Sequence, residues 1–305
     1  MSQDPATALI RLPGHRTYGV PVPASQPARV EWEFALLSAL AYPPHDRERT
    51  PDGYPDFSLL LKERGWRPWD HFPTGALRDR ADQVNLGVRV WQSSSDPAVV
   101  VVAFRGTLFR KLESWNANLR WLLRFIPGHY DAYSEIVGDF CPAFIEEYGR
   151  RMNQVGGEAL RNPRVRLYAT GHSLGGGLAQ QFAYALPPSA VVPRVTQVYA
   201  FDPSPVTGYY SVEPKTRDKN AETLRIERTF EQGETLSYVR SALNLVYKPT
   251  ATQPAITGVR YHFFKSWNPF FNHSMQRLAA ELLRASGQVT SVPTSYGSVA
   301  TARVV

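Results

Sequence analysis

The clearest order of apolar and polar positions lies between residues 165 and 201. Val165, Leu167 and Ala169 alternate with polar neighbours and predict a strand ending near Thr170. Leu174, Leu178, Phe182 and Ala185 then recur at helical spacing, and Pro187-Pro188 end that helix. VTQVYAF at 195–201 predicts the next strand. Strand, helix and strand over about 37 residues make a βαβ unit, which implies parallel strands. Upstream, LGVRVWQ at 86–92 alternates as a strand, SSSDP at 93–97 reads as a turn, and AVVVVAF at 98–104 reads as a fully buried strand. Residues 31–42 place Phe34, Leu37, Leu40 and Ala41 on one helical face before Pro43-Pro44. Downstream, LRIERTF at 224–230 and GVRYHFF at 258–264 predict two more strands. HSMQRLAAELLRA at 273–285 predicts a closing helix with Met275, Leu278, Ala279 and Leu282 on one face.

Other stretches lack such periodicity. Residues 1–30, rich in Pro and small residues, are expected as an N-terminal surface segment, and residues 43–80 as a polar, turn-rich connection. From Ser286 the chain is rich in Ser, Thr and Val and is expected as a flexible tail. No break in composition divides 31–285, which therefore reads as one α/β domain.

Composition narrows the function classes. A chain of 305 residues with 43% hydrophobic and 20% charged positions is long and apolar enough for a large core and is not a disordered polymer. Its single cysteine, Cys141, excludes an intramolecular disulfide and a multi-cysteine zinc site. The longest clean apolar run, 98–104, is about a third of the roughly 20 residues that span a bilayer. The N-terminus MSQDPATALIRLPGH carries no apolar signal-peptide core, so a cytoplasmic location is expected, with signal-independent export left open. The net charge of +7 comes without a basic run, and acids interleave the cations, so a mixed solvated surface is expected rather than a nucleic-acid groove.

The chemistry begins at Gly171-His172-Ser173-Leu174-Gly175, a G-x-S-x-G pattern between the predicted strand and helix. A serine at so sharp a turn projects its hydroxyl into a cleft. Side chains two residues before and after it would collide with the adjoining backbone, hence Gly171 and Gly175. The helix that follows aims its free N–H groups at developing negative charge. A phosphate loop is disfavoured, because Gly177 stands where that pattern needs lysine.

With VVAFRGT at 101–107, SWNANL at 114–119 and ATGHSLGGGLA at 169–179, the chain resembles the class 3 lipase branch of the α/β-hydrolases from about residue 31 to about 285. SALAY at 38–42 and GHYDAY at 128–133 match more loosely. The resemblance implies an α/β-hydrolase fold, with a mostly parallel central sheet flanked by helices, a Ser-His-acid triad and no cofactor or metal. It departs from the family at Ser114, where Asp is usual; at Asp202-Pro203-Ser204-Pro205-Val206-Thr207-Gly208, where G-x-P-R-V-G is usual; and in EQGETLSYV, which offers Glu where the family acid is usually Asp.

Hydrolase order along the chain is serine, acid, histidine. Ser173 is the candidate nucleophile. His273, at the start of the closing helix, is preferred as the base over His262, which lies inside a predicted strand. Three acids compete: Glu234, in the turn after 224–230, which aligns with the family acid; Glu231, at that strand's end; and Asp202, after the strand next to the elbow strand. The oxyanion hole needs two donors. One is the Leu174 backbone N–H; for the other, the resemblance points to Thr107.

Residues 108–130 carry Leu112, Trp115, Leu119, Leu122 and Ile126 at helical spacing, accompanied by Arg110, Lys111, Arg120 and Arg124. Family members often carry a mobile lid here, and a basic amphipathic helix suits an anionic lipid surface; a core helix with snorkelling cations is the other reading. HFFKSWNPFF at 262–271 either walls an acyl pocket or fills the core under a loop. Together these features predict a serine lipase or esterase, possibly a phospholipase, acting on lipid or another ester. The alternatives are an inactive hydrolase-like binding module and an exported lipolytic effector acting on membrane lipids. Oligomeric state stays open.

Overall fold

Residue pattern becomes architecture in a computed structural model that describes residues 5–10, 18–45, 47–83, 86–106, 132–154, 166–234, 236 and 254–289. Nine strands form one sheet: β1 Pro5–Ile10, β2 Tyr18–Pro23, β3 Trp66–Pro68, β4 Val88–Ser93, β5 Val99–Phe104, β6 Arg166–His172, β7 Val195–Phe201, β8 Arg225–Glu231 and β9 Ala255–Tyr261, in the order β2-β1-β9-β8-β7-β6-β5-β4-β3. The five central strands, β5 to β9, pair in parallel. An antiparallel pair borders them on each side, β3-β4 and β1-β2. The α/β architecture expected from the βαβ unit is therefore present, as is the β4-β5 hairpin.

The helices cover both faces. In chain order those among the described residues are α1 Ser25–Ala39, α2 Phe57–Glu63, α3 Gly75–Gln83, α4 Ala132–Gln154, α5 Leu174–Ala185, α6 Pro214–Ala221, α7 Pro269–Asn272 and α8 Met275–Ala285. Strand β5 explains why both are needed, since every one of its residues is buried. Val100, Val102 and Phe104 join a core with Phe140, Phe144 and Tyr148 of α4 and Leu178 and Phe182 of α5. Val101 and Ala103 face the other way, into a core with α1 and α8. A six-residue run of apolar residues thus reads as a central strand, buried on both sides.

Several elements lie where periodicity is weak. The N-terminal stretch, expected as a surface segment, supplies β1 and β2 to the sheet edge and the start of α1. Helix α1 begins at Ser25 and ends at Ala39, earlier at both ends than the pattern over 31–42. The connection expected over 43–80 contains α2, β3 and most of α3; Asp56 caps α2 by accepting from the N–H groups of Ser58 and Leu59. Strand β9 ends at Tyr261, so His262 lies just past the strand expected to contain it. The expected tail overlaps the described residues only at 286–289. Among the described residues no helix is long and apolar enough to cross a membrane.

Candidate active site

Ser173, His273 and the three candidate acids gather at the carboxyl ends of the parallel strands, where an open α/β sheet places its crevice. Ser173 follows β6 with φ 57° and ψ −124°, a conformation costly for a residue with a side chain. Three backbone bonds hold the turn. The Ser173 N–H donates to the Phe201 carbonyl at 2.9 Å, and the Ser173 carbonyl accepts from the N–H groups of Gly176 at 3.0 Å and Ser204 at 2.9 Å. The flanking glycines are steric requirements. A Cβ on Gly171 would stand 2.2 Å from the Gly175 carbonyl oxygen, and one on Gly175 would stand 2.2 Å from that of Phe104. Leu174 opens α5, so its backbone N–H lies at that helix's N-terminus.

His273 reaches the serine from the turn that precedes α8. It closes the short α7 turn, donating its backbone N–H to the carbonyls of Pro269 at 3.1 Å and Phe270 at 3.2 Å. Its Nε2 stands 3.0 Å from Ser173 Oγ, and its Nδ1 stands 2.9 Å from Glu234 Oε2. Glu234 is fully buried, and the same Oε2 accepts the Leu236 N–H at 2.7 Å. Further bonds fix the turn that carries Glu234. The Gln232 N–H donates to the Tyr261 carbonyl at 3.0 Å. Asn272 Nδ2 donates to the carbonyls of Gln232 at 3.2 Å and Ser266 at 3.0 Å, tying the acid turn to the histidine turn. Sequence reading passed over Asn272; its only signal was its place beside His273.

The competing candidates take other partners. Glu231 accepts backbone N–H groups from Phe263 at 3.3 Å and Phe264 at 3.0 Å. Burial pushes its carboxyl up to about 8, against the pull of those N–H groups. Asp202, buried and held at φ 40°, accepts the Glu231 N–H at 2.9 Å. His262 stands off this line, with Nε2 3.5 Å from Thr7 Oγ1. Thr107 and the amphipathic segment 108–130 lie outside the described residues.

Beside His273 sits His172, its ring 4.7 Å away. His172 Nδ1 stands 2.8 Å from Tyr42 Oη, which in turn accepts the Gly106 N–H at 3.2 Å. Burial and the neighbouring His273 ring hold His172 well below the usual histidine range, so it is neutral. His172, Asp202 and His273 each offer a donor atom within 4.8 Å of the others. A tetrahedral zinc ion with bonds of about 2.0–2.2 Å needs its donors roughly 3.4 Å apart. His273 already directs both ring nitrogens elsewhere, to Glu234 and Ser173. The group therefore fits a polar support behind the histidine better than a metal centre.

Comparison with known proteins bears on the same region. The class 3 lipase family model matches residues 101–230, which run from within β5 through the elbow to the last but one residue of β8. No curated protein matches the chain. Among solved structures, a propeptide complex of Rhizomucor miehei lipase with a two-residue deletion is 17% identical, with a TM-score of 0.48; the match covers 72% of this chain and 64% of that one. A lipase from Rhizopus microsporus var. chinensis is 16% identical, with a TM-score of 0.39 and coverage of 70% and 69%. Esterase B from Lactobacillus rhamnosis, inhibited by a tributyrin phosphonate, is 14% identical, with a TM-score of 0.32 and coverage of 87% and 96%. This chain thus spans just under two thirds of the first of these structures, and what it does must be argued from its own residues.

Proposed function

Taking as premise that the chain is class 3 lipase-like over residues 101–230, we propose that it is a serine carboxylic ester hydrolase acting through an acyl-enzyme. The observation that carries this reading is the line from the buried Glu234 Oε2 through both nitrogens of His273 to the half-buried Ser173 Oγ, at 2.9 and 3.0 Å. Both spacings fall in the range over which a base takes a hydroxyl proton while a carboxylate holds its tautomer.

In this reading Ser173 Oγ attacks the ester carbonyl carbon as His273 Nε2 accepts its proton. The imidazolium is stabilised by Glu234. The oxyanion is met by the Leu174 N–H and by Thr107. Collapse breaks the acyl–oxygen bond, and His273 returns its proton to the departing alcohol. Water, deprotonated by the same imidazole, then adds to the acyl-enzyme and releases the acid, restoring the serine. A lipid substrate is favoured over a small soluble ester by the loop that leads into His273. Residues 261–274 hold six aromatic side chains, Lys265 and no acid, and Trp267 stands wholly exposed at 101%. Trp267 and Lys265 suit the boundary of an anionic lipid surface. The inactive binding-module alternative draws no support from a nucleophile, base and acid standing in line.

Fluorophosphonate labelling of the wild type and Ser173→Ala tests the reading. Labelling of the wild type alone supports it; equal labelling of both proteins removes Ser173 from its role. Hydrolysis of p-nitrophenyl esters, triglycerides and phospholipids by the wild type then ranks the substrates.

A further inference from the structure

Beyond the three residues in line, a buried hydroxyl joins the elbow to the end of β5. Tyr42 lies just past the C-terminal end of α1 and is nearly buried. Its place is set from several sides. Ser38 Oγ meets Thr170 Oγ1 at 2.9 Å, which seats α1 on β6, and Gln276 Nε2 donates to the Ala39 carbonyl at 3.0 Å, which binds α8 to the end of α1. From there Tyr42 Oη accepts the Gly106 N–H at 3.2 Å and stands 2.8 Å from His172 Nδ1. With the amide proton coming from Gly106, the phenol's own proton is free for Nδ1 of a neutral His172. That ring lies against His273.

The fit around Gly106 is close. A Cβ there would lie 2.6 Å from Tyr42 Oη, 2.6 Å from the His172 carbonyl oxygen and 3.0 Å from Ser173 Cβ. The chain leaving β5 therefore runs against the nucleophile, and the Gly106 N–H is bound by the tyrosine hydroxyl. On the other flank the Arg105 N–H donates to the Gly87 carbonyl at 2.8 Å. Thr107 is the next residue along.

We propose that Tyr42, through its hydroxyl between Gly106 and His172, is a positioning residue that fixes the oxyanion-donating end of β5 against Ser173 and His273. The inference rests on the serine-hydrolase reading. Oxyanion donors work by being fixed in advance, and loss of one donor costs about 10²–10³ in kcat. Removing a hydroxyl that only positions a donor costs less. Tyr42→Phe keeps the ring and its packing and should lower kcat about 10- to 30-fold with KM within twofold of wild type. The affinity for a trifluoromethyl ketone, which forms a tetrahedral adduct, should fall by the same factor as kcat.

The experiment compares the wild type, Tyr42→Phe and Tyr148→Phe on a soluble p-nitrophenyl ester and on that ketone. Tyr148 is a control, because its buried hydroxyl has no hydrogen-bond partner among the described residues. His172→Asn, which offers an acceptor where Nδ1 stands, should keep more activity than His172→Ala. That pair carries the test if Tyr42→Phe does not fold. The inference is overturned if Tyr42→Phe matches the control in kcat and ketone affinity, or if His172→Asn and His172→Ala lose activity equally. Absence of ester hydrolysis and of adduct formation in the wild type overturns the serine-hydrolase reading itself, a result distinct from either of these.

Discussion

Glu234→Gln retains the size of a fully buried side chain and removes its charge from a point 2.9 Å from His273 Nδ1. The amide can still be seated. Its oxygen can occupy the place of Oε2 and accept both the Leu236 N–H and the imidazole N–H. The tautomer of His273 is then kept, and what is lost is attraction between a carboxylate and the imidazolium formed in the transition state. Two unit charges about 4 Å apart interact by about 4 kcal/mol at an effective dielectric constant near 20, an upper bound on the loss. Replacing a charged hydrogen bond with a neutral one, about 1.5–3 against 0.5–1.5 kcal/mol, sets a lower bound near 1 kcal/mol. A loss of about 2–3 kcal/mol is expected, or about 30- to 200-fold in kcat, with KM little changed. Glu234→Ala should lose more, because it also leaves the imidazole and Leu236 N–H groups without their acceptor. The assay is kcat on a soluble p-nitrophenyl ester, beside melting curves that confirm folding. The reasoning fails if Glu234→Gln stays within threefold of wild type while Asp202→Asn loses 100-fold, since the acid would then be Asp202.

Three other outcomes follow from separate features. Glu231 has its folded-state pKa raised by burial to about 8, above its unfolded value, so its contribution to stability is complete below about pH 4.5 and is lost as pH rises through 8. Glu231→Gln should therefore flatten the fall in melting temperature between pH 5 and 9; an unchanged slope contradicts the assignment. Gly175→Ala forces a Cβ to within 2.2 Å of the Phe104 carbonyl oxygen, a contact the backbone must move to relieve. It should lose both fluorophosphonate labelling and several degrees of melting temperature, and a normally labelled, equally stable variant would refute the steric argument. Trp267→Ser should weaken binding to phosphatidylglycerol-containing vesicles by about tenfold, close to 1.4 kcal/mol, with soluble-ester kcat unaltered. Equal binding would show that this loop does not meet lipid.

What could be read from the sequence was local. Strand β7 and helix α5 fall where spacing put them, because the βαβ unit makes its pattern from neighbours in the chain. The G-x-S-x-G spacing carried its own steric cause, visible in the clash that a Cβ on Gly171 would make with the Gly175 carbonyl. Strand β1 was hidden because pairing of Ala6 with Tyr261 joins residues at opposite ends of the chain, and β2 because, at the sheet edge, it is exposed along almost its whole length. Helix α2 was hidden by a turn-rich setting, although its Asp56 cap and Phe57 and Leu61 core positions were legible afterwards. The reach of β9 was misjudged toward His262 because GVRYHFF continues the apolar pattern past Tyr261, where hydrogen bonds to Glu231 take the chain out of the sheet. Tyr42, His172 and Asn272 gave no periodic signal, since each matters through a partner distant in sequence.

The choice among the three acids has a structural logic that chain order alone does not supply. Each carboxyl group accepts backbone N–H groups from chain that follows it at the same edge of the sheet. Asp202, after β7, accepts the N–H of Glu231 at the end of β8. Glu231 accepts the N–H groups of Phe263 and Phe264 after β9. Glu234 accepts the Leu236 N–H within its own turn and has the same oxygen on His273. The first two carboxyl groups thus fix the ends of β8 and β9, between which the turns carrying Glu234 and His273 are suspended. Gly233, with φ 73°, lets the chain reverse just before Glu234. A glutamate after that reversal reaches the imidazole with one methylene more than an aspartate has. Glu234→Asp should therefore retract the carboxylate from Nδ1 and lower kcat, although the charge is kept.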